Sequence, residues 1–418
     1  MISFKKYNIF SFLTKELSFW DKIFYLFCVL ILFIPPFVFF LYTKGIAIIY
    51  HQISIVLILL LIVSALINLF LGKVDKILFL IPVTIFFIFF LSFLGSFDNI
   101  FSYNDFDRFF GLYMSLTAAP FFSIFLLKYY RRKGNIDLFL RFIFYSGVFV
   151  SVVNIYMFIT LYFGNYSMIF SYTDYLGLGS YIQDLGSYFI RPAGYFFDYH
   201  SQYYIPAIAL FILYMNKISV TSKVKFLATT LIVLSILVSG VKSAYLTLIV
   251  CFLYLLIKRL SFATIFKYVI SLVIFFFVMD FFVGSLLYDL GYKIVTHDVN
   301  VFIEHFTEVP IMLAKKYPLV FFVGGQVDFQ NFVYSEVYYV TMIYYMGILG
   351  VLFFFIVPAV YLLIKSKDEF VKLLTLIFIL SLVHYYVFKI SINVMGTALV
   401  YFYFFKHLFY RPQICVKS

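Results

Sequence analysis

Apolar runs long enough, or nearly so, to cross a membrane recur from one end of this 418-residue chain to the other. The hydrocarbon layer of a bilayer is about 30 Å thick, and a helix needs about 20 apolar residues to cross it. The composition agrees, since 65% of the residues are hydrophobic and only 12% are charged. A water-facing surface needs far more charge than that. The chain is therefore predicted to be an all-α, polytopic transmembrane helical bundle.

The apolar pattern predicts about twelve spans, and counts of ten or eleven fit it as well. The predicted spans are 23–41, 53–71, 77–94, 109–127, 138–163, 203–214, 226–239, 244–257, 264–287, 338–364, 373–388 and 392–405. The two spans that flank Lys242 are short, so a helix break or a re-entrant hairpin is an alternative there. All spans belong to one integral membrane domain over residues 1–418.

The distribution of positive charge predicts the orientation. With both termini in the cytosol, 21 of the 31 Lys and Arg residues fall in inner loops and two lie near inner helix ends. This bias is typical of membrane proteins, so the net charge of +12 reflects topology and anionic lipid rather than nucleic acid. The remaining eight, predicted to lie outside, are Lys44, Arg108, Arg191, Lys242, Lys293, Lys315, Lys316 and Lys389.

Two predicted outer loops, at about 164–202 and 288–337, are large enough to build a site. The first carries Arg191, Asp198 and His200 within ten residues, directly before a span. The second is too long for a plain connection, and its apolar spacing predicts an amphipathic helix near 301–309. The inner loops are short and contain no nucleotide-binding motif, which excludes ATP-driven transport by this chain alone. Any chemistry is expected on the outer face.

Four short motifs follow one another along the second half of the chain. They are RPAGYF at 191–196, SGVKSAYL at 239–246, YPLVFFVGG at 317–325 and EVYYVTMIYYMGILG at 336–350. The first three resemble the RxxGxF, SRgayl and yPlfGvG stretches of the bacterial O-antigen polymerase and ligase family. The fourth is similar to the segment that closes that family's long external loop. The resemblance covers roughly residues 186–360, in the family's order.

The resemblance implies a GT-C-like membrane glycosyltransferase in the bacterial cytoplasmic (inner) membrane, acting at its outer face without a cofactor or a metal. A polymerase of this family joins oligosaccharide repeat units carried on undecaprenyl diphosphate, for O-antigen, capsule or a related glycan. A ligase instead moves the finished glycan onto lipid A–core. The implied partners are the lipid-linked oligosaccharide, membrane lipid, and a chain-length regulator and flippase of the same pathway. An inverting or a retaining outcome is left open.

The leaving group of such a transfer is a diphosphate, so cations near its oxygens stabilise the charge that develops. Arg191 and Lys242 are the candidate diphosphate-binding residues, and arginine suits the role because its planar fork binds phosphate bidentately. Lys242 stands where the family has arginine, which keeps the charge but loses the fork. For Arg191 the alternative is a juxtamembrane side chain that extends to lipid headgroups.

The acceptor hydroxyl needs a general base within hydrogen-bond reach. Glu336 is the first candidate, because ligase-like relatives have a histidine at that position, and an acid there favours a polymerase. An ordinary acid at a helix N-terminus is the alternative for Glu336. His200 and Asp198 are further catalytic candidates, although Asp198 is equally suited to pair with Arg191. The structural glycines of the motifs are Gly194, which permits a tight turn, and Gly347 and Gly350, which permit close helix packing.

Three rival interpretations remain open. Asp105 and Asp107 spell a DxD in an early outer loop, a pattern that metal-dependent glycosyltransferases use, although Arg108 is placed to pair with it. A flippase or secondary transporter is the second. Against it, mid-span charges are nearly absent, with Asp280 near the outer end of its predicted helix the closest, and no half-to-half repeat is found. A polysaccharide-assembly subunit without chemistry is the third.

Overall fold

A computed structural model describes residues 19–46, 80–95, 103–163, 202–239, 241–259, 307–325, 338–381 and 393–409, with isolated positions between 56 and 78 and between 270 and 274. Throughout these ranges the chain forms helices joined by turns, and no strand occurs in them. The prediction of an all-α fold is thereby confirmed for the described residues. Residues 164–201, 288–306 and 326–337, which make up most of the two predicted outer loops, lie outside them.

The helices are numbered here in chain order. They are α1 Phe19–Thr43, α2 Leu80–Gly95, α3 Tyr103–Lys133, α4 Asp137–Phe163, α5 Tyr204–Tyr214, α6 Ser222–Val238, α7 Lys242–Arg259, α8 Val309–Lys316, α9 Pro318–Val323, α10 Tyr338–Val351, α11 Val357–Lys365, α12 Glu369–Ser381 and α13 Asn393–Phe409. A short π-helix, Leu352–Ile356, joins α10 to α11. The amphipathic helix predicted near 301–309 falls mostly outside the described residues.

Two helical segments in the described ranges are long and apolar enough to cross a membrane, at Asp137–Thr160 and Met342–Lys365. Four shorter apolar helices accompany them, at Cys28–Thr43, Leu80–Ser92, Tyr204–Tyr214 and Ser243–Leu256. The outward faces of α1 and α2 carry large apolar side chains, among them Phe37 and Phe87, which are more than half exposed. Such faces are typical of contact with another apolar phase. These helices support a membrane protein without establishing the count of twelve spans.

The core is built around α5 and α13. Every residue of α5 from Tyr204 to Leu213 is buried, as is every residue of α13 from Asn393 to Phe405. Helix α5 packs against α4, α6, α12 and α13. Gly147 of α4 brings the first of these neighbours close, since a Cβ at that position would meet the side chain of Ala209. The predicted outer loop at about 164–202, which carries Arg191, is called the Arg191 loop below. The enclosed helix α5 follows directly on it.

Basic residues gather at one end of the bundle, called the basic end below. There Lys217, after α5, forms an ion pair of 2.7 Å with Asp368, before α12. Lys406 of α13 lies 4.0 Å from the ring centre of Tyr130 in α3, a cation–π contact. Other basic residues at these helix ends are Arg131, Arg132, Lys133, Arg141, Lys223, Lys225, Lys365, Lys367 and Lys372. All of them belong to loops or helix ends predicted to face the cytosol.

Helix α5 ends in a defined turn that sets the position of Lys217. Asn216 adopts a left-handed conformation with φ 51°, which asparagine tolerates better than most residues. The amide of Lys217 donates to the carbonyl of Ile212, and that of Asn216 donates to Leu213. This paired bonding satisfies carbonyls that the helix end would otherwise leave unbonded. The local sequence thereby aims the ion-pairing lysine at α12.

The predicted span 338–364 is interrupted twice rather than continuous. Gly347 has φ 65° and ψ 177° inside α10, and the π-helix lies one turn further on. Pro358 in α11 has no amide hydrogen, and its ring displaces the carbonyl four residues earlier, that of Phe354. The hydroxyl of Tyr401 in α13 donates to that carbonyl at 2.5 Å. A tyrosine from a neighbouring helix therefore satisfies the group that proline frees.

Candidate functional site

The end of the bundle opposite the basic end collects buried, uncharged polar side chains, and it is called the polar end below. Helices α5, α7 and α13 begin there, and α4, α6 and α12 end there. Gln202, Tyr203, Ser243, Ser381 and Asn393 all lie at these helix ends, and none is more than 5% exposed. Polar groups are expensive to bury. Their concentration here makes the polar end the candidate site.

Asn154 of α4 fixes the point at which the Arg191 loop enters the bundle. Its side-chain amide nitrogen lies 3.2 Å from the backbone carbonyl oxygen of Gln202 and 3.1 Å from the hydroxyl oxygen of Ser235 in α6. All three residues are fully or almost fully buried. The two NH₂ hydrogens of an asparagine allow it to donate to both groups at once. Asn154 thus joins α4 and α6 to the chain directly before α5.

The turn between α6 and α7 is a tight hairpin held by its own side chains. The Ser239 hydroxyl donates to the Ile236 carbonyl at 2.6 Å and accepts from the Val241 amide at 3.3 Å. The Tyr245 hydroxyl donates to the Leu237 carbonyl at 2.5 Å. Lys242 is the first residue of α7. The short predicted spans on either side of Lys242 are therefore two helices joined by a hairpin, and the backbone of Lys242 lies at the polar end.

Tyr203, which follows the first motif in sequence, lies against the second motif. Its hydroxyl faces the side chains of Ser243 and Thr247 in α7 and of Ser381 at the end of α12. These four residues are called the hydroxyl cluster below. Ser243 comes directly after Lys242, and Tyr203 follows the chain that leads from Arg191. The start of α5, which follows the first motif in the chain, therefore meets the start of α7, which carries Lys242.

The third and fourth motifs also meet. The amide of Gly325, at the end of the third motif, donates to the Tyr344 carbonyl of α10 at 2.9 Å. This bond lies close to the interruption of α10 at Gly347. Gly347 lies so close to the chain at Phe322 and Gly324 that a Cβ there would overlap both backbones. The Ser92 hydroxyl of α2 lies 2.7 Å from the Val323 carbonyl oxygen and joins a further helix to this junction. A Cβ on Gly350 would overlap the Met346 side chain.

Most of the predicted site residues lie outside the described part of the structure. These are Arg191, Gly194, Asp198, His200 and Glu336. For Lys242 the backbone is described and the side chain is not. The same holds for Asp105 and Asp107, whose backbone belongs to α3.

Sequence reasoning missed Asn154 and the hydroxyl cluster. Asn154 carried a usable signal, because a carboxamide in the middle of a long apolar run is expensive unless it bonds to a neighbouring helix. Ser243 belongs to the second motif, in which Lys242 is the only residue predicted to bind substrate. Ser381 offered no signal, since serine is common in membrane helices. Within the described ranges, no group of three His, Cys, Asp or Glu side chains is placed to hold a metal ion.

Searches against protein-family models, curated proteins and solved structures found no match for this chain. What links the chain to a function is the order of its four motifs, together with the contact of Tyr203 with the second motif and the contacts between the third and the fourth.

Proposed function

We propose that the chain is a membrane glycosyltransferase that polymerises oligosaccharide repeat units carried on undecaprenyl diphosphate. The contact of Tyr203 with Ser243 is the observation that carries this proposal. It places the backbone of Lys242 beside the point where the Arg191 loop enters the bundle. A diphosphate leaving group requires cations near its oxygens, and Arg191 and Lys242 are the residues that we assign to this role.

The reaction is a substitution at an anomeric carbon. A hydroxyl of the acceptor repeat unit forms a bond to that carbon, and the bond from the carbon to the diphosphate oxygen breaks. The diphosphate leaves with the electron pair, where Arg191 and Lys242 stabilise its charge. The acceptor proton passes to a carboxylate or imidazole, with Glu336 the first candidate and His200 and Asp198 the others. The step needs no metal or cofactor.

The distribution of charge supports an outward-facing site in the bacterial inner membrane. The basic end carries the lysines and arginines that positive-inside topology places in the cytosol. The polar end would then face outward, where lipid-linked repeat units are joined. The exposed apolar faces of α1 and α2 provide the surface that lipid tails would contact.

The test is the glycan carried by a strain from which the gene has been deleted. Polymerase activity predicts lipid carriers that bear single repeat units at the outer face. Polymer that accumulates on the carrier would instead identify a ligase, and repeat units trapped at the inner face would identify a flippase. A wild-type glycan ladder would contradict all three functions.

Purified protein provides the direct assay. With lipid-linked repeat units as the only substrate and a chelator present, we expect polymer of many repeats. A strict requirement for a divalent metal would contradict the proposed mechanism and direct attention to Asp105 and Asp107.

A further inference from the structure

Three buried hydroxyl groups converge at the polar end without a direct hydrogen-bond partner among the described residues. They belong to Tyr203, Ser243 and Ser381, which lie at the ends of three different helices. Each of these side chains is at most 5% exposed. Buried hydroxyls in folded proteins are almost always bonded to protein or to ordered water. The Tyr203 hydroxyl faces both serines, and α12 packs against α5 and α7, so the three groups border one place that can receive a ligand.

Thr247 completes the site and helps to define its chemistry. Its hydroxyl donates to the Ser243 carbonyl at 2.7 Å, so it presents only lone pairs to a further partner. The hydroxyls of Tyr203, Ser243 and Ser381 can each donate and accept. All four side chains of the cluster are uncharged, and an ion would lack the opposite charge it needs when buried. A neutral hydroxyl group, which both donates and accepts, matches this set.

We propose that Tyr203, Ser243, Thr247 and Ser381 form a binding site for one neutral hydroxyl group. The hydroxyl comes either from a structural water molecule or from a sugar of the saccharide substrate. Buried water typically makes about three hydrogen bonds, and the cluster has four groups to offer. A sugar hydroxyl would bond to the same four side chains. Of the two sources, only the sugar rests on the proposed function. Either ligand bridges α5, α7 and α12 beside the first residue of α7, Lys242.

Thermal unfolding of the purified full-length protein in detergent tests the water source without any activity assay. Tyr203→Phe and Ser381→Ala each remove one hydroxyl while leaving the rest of the side chain. If water fills the site, each variant lowers Tm by on the order of 2 °C. The double variant lowers it by less than the sum, because both changes break the same network.

Ser146→Ala is the matched control for this measurement. Ser146 of α4 is equally buried, its hydroxyl also has no direct partner within the described ranges, and it lies outside the cluster. Removing an unbonded buried hydroxyl is expected to leave Tm unchanged or to raise it. If Tyr203→Phe fails to fold, Ser381→Ala compared with Ser146→Ala carries the test.

Free galactose, glucose and N-acetylglucosamine at millimolar concentration are the probes for the sugar source. A sugar hydroxyl predicts that at least one of them raises the Tm of the wild type, and that Tyr203→Phe loses this rise while the sugar-free Tm is unchanged. In the polymerisation assay the same variant would raise KM for repeat units more than it lowers kcat.

Two results separate failure of this inference from failure of the proposed function. A fall in Tm confined to the cluster variants supports the site even if the protein makes no polymer. If the cluster variants behave like Ser146→Ala and no sugar changes any Tm, the binding site does not exist, whatever the protein polymerises.

Discussion

The two ends of the bundle treat polar groups in opposite ways. At the basic end, Lys217 and Asp368 pair at 2.7 Å with side chains 29% and 38% exposed. At the polar end, Tyr203, Ser243 and Ser381 carry no charge, are almost fully buried and lack direct partners among the described residues. Exposed charges are inexpensive and contribute little to stability, whereas buried unbonded hydroxyls are costly. Buried hydroxyls that lack direct partners are expected to bond to a further group, so the polar end, and not the basic end, is the candidate binding site.

Arg191→Ala should have the largest effect of all the changes predicted here. Loss of the proposed diphosphate-binding fork should reduce surface glycan to single repeat units, while the protein inserts at its normal level. The measurement is a glycan ladder beside an immunoblot of the membrane fraction. Lys223→Ala, an exposed cation of the basic end, is the control and should keep wild-type chain length. Long chains made by the arginine variant would refute the central role of Arg191.

Substitutions at Lys242 should have the second largest effect on polymerisation, and the effect should depend on whether the charge is kept. Lys242→Ala should lower the polymerisation rate by about 100-fold, the range expected for loss of one group that stabilises developing negative charge. Lys242→Arg keeps the charge and should retain most of the rate. Initial rates with purified protein and lipid-linked repeat units measure both. Equal losses in the two variants would mean that Lys242 acts through packing rather than charge.

Helix boundaries followed from the sequence at some apolar runs and not at others, since the span predicted at 109–127 lies inside the longer helix α3, Tyr103–Lys133. The span predicted at 138–163 corresponds to α4, Asp137–Phe163, because Lys133 and Gly134 precede it. The interruption at Gly347 was not predicted, since the backbone angle depends on how Phe322 and Gly324 pack against it. Composition and periodicity carry no information about such tertiary contacts.

Only part of the candidate site could be predicted, because most of its contacts are tertiary. Lys242 was identified because a charge between apolar runs is visible in sequence. The contact of Tyr203 with Ser381 depends on α12 packing beside α5, and no local pattern encodes that. Neutral hydroxyls also resemble ordinary membrane-helix residues until the structure brings them together.

Glycine substitutions measure how tightly the junction of the third and fourth motifs is packed. Gly347 and Gly134 both have positive φ, at 65° and 75°. The ψ of Gly347 is 177°, a combination that is essentially restricted to glycine, so alanine there strains the backbone by about 1–3 kcal/mol. A Cβ at Gly134 meets nothing within 4 Å, whereas at Gly347 it overlaps the neighbouring backbone. Gly347→Ala should therefore lower the free energy of unfolding by several kcal/mol more than Gly134→Ala. Equal losses in thermal unfolding would contradict tight packing at this junction.

Tyr401→Phe should have a smaller effect, at the proline-freed carbonyl of Phe354. Without the hydroxyl, that buried carbonyl loses its donor, at a cost of about 1–3 kcal/mol. Thermal unfolding measures the loss. Tyr203→Phe is the informative comparison, because it removes an equally buried hydroxyl that has no direct protein partner among the described residues. A stability unchanged by Tyr401→Phe would mean that the carbonyl finds another donor.

The ion pair of the basic end should have the smallest effect. A double-mutant cycle with Lys217→Met and Asp368→Asn should give a coupling of about 0.5 kcal/mol, because both side chains are partly exposed. Asparagine at 368 keeps the side-chain oxygen that accepts from the Phe370 amide at 2.9 Å, so the cycle isolates the charge pair. Raising the salt concentration to 1 M should remove most of the coupling. A coupling of several kcal/mol that persists in salt would show that the ion pair is shielded from water. The two ends would then differ in whether their polar groups have direct partners, and not in how exposed these groups are.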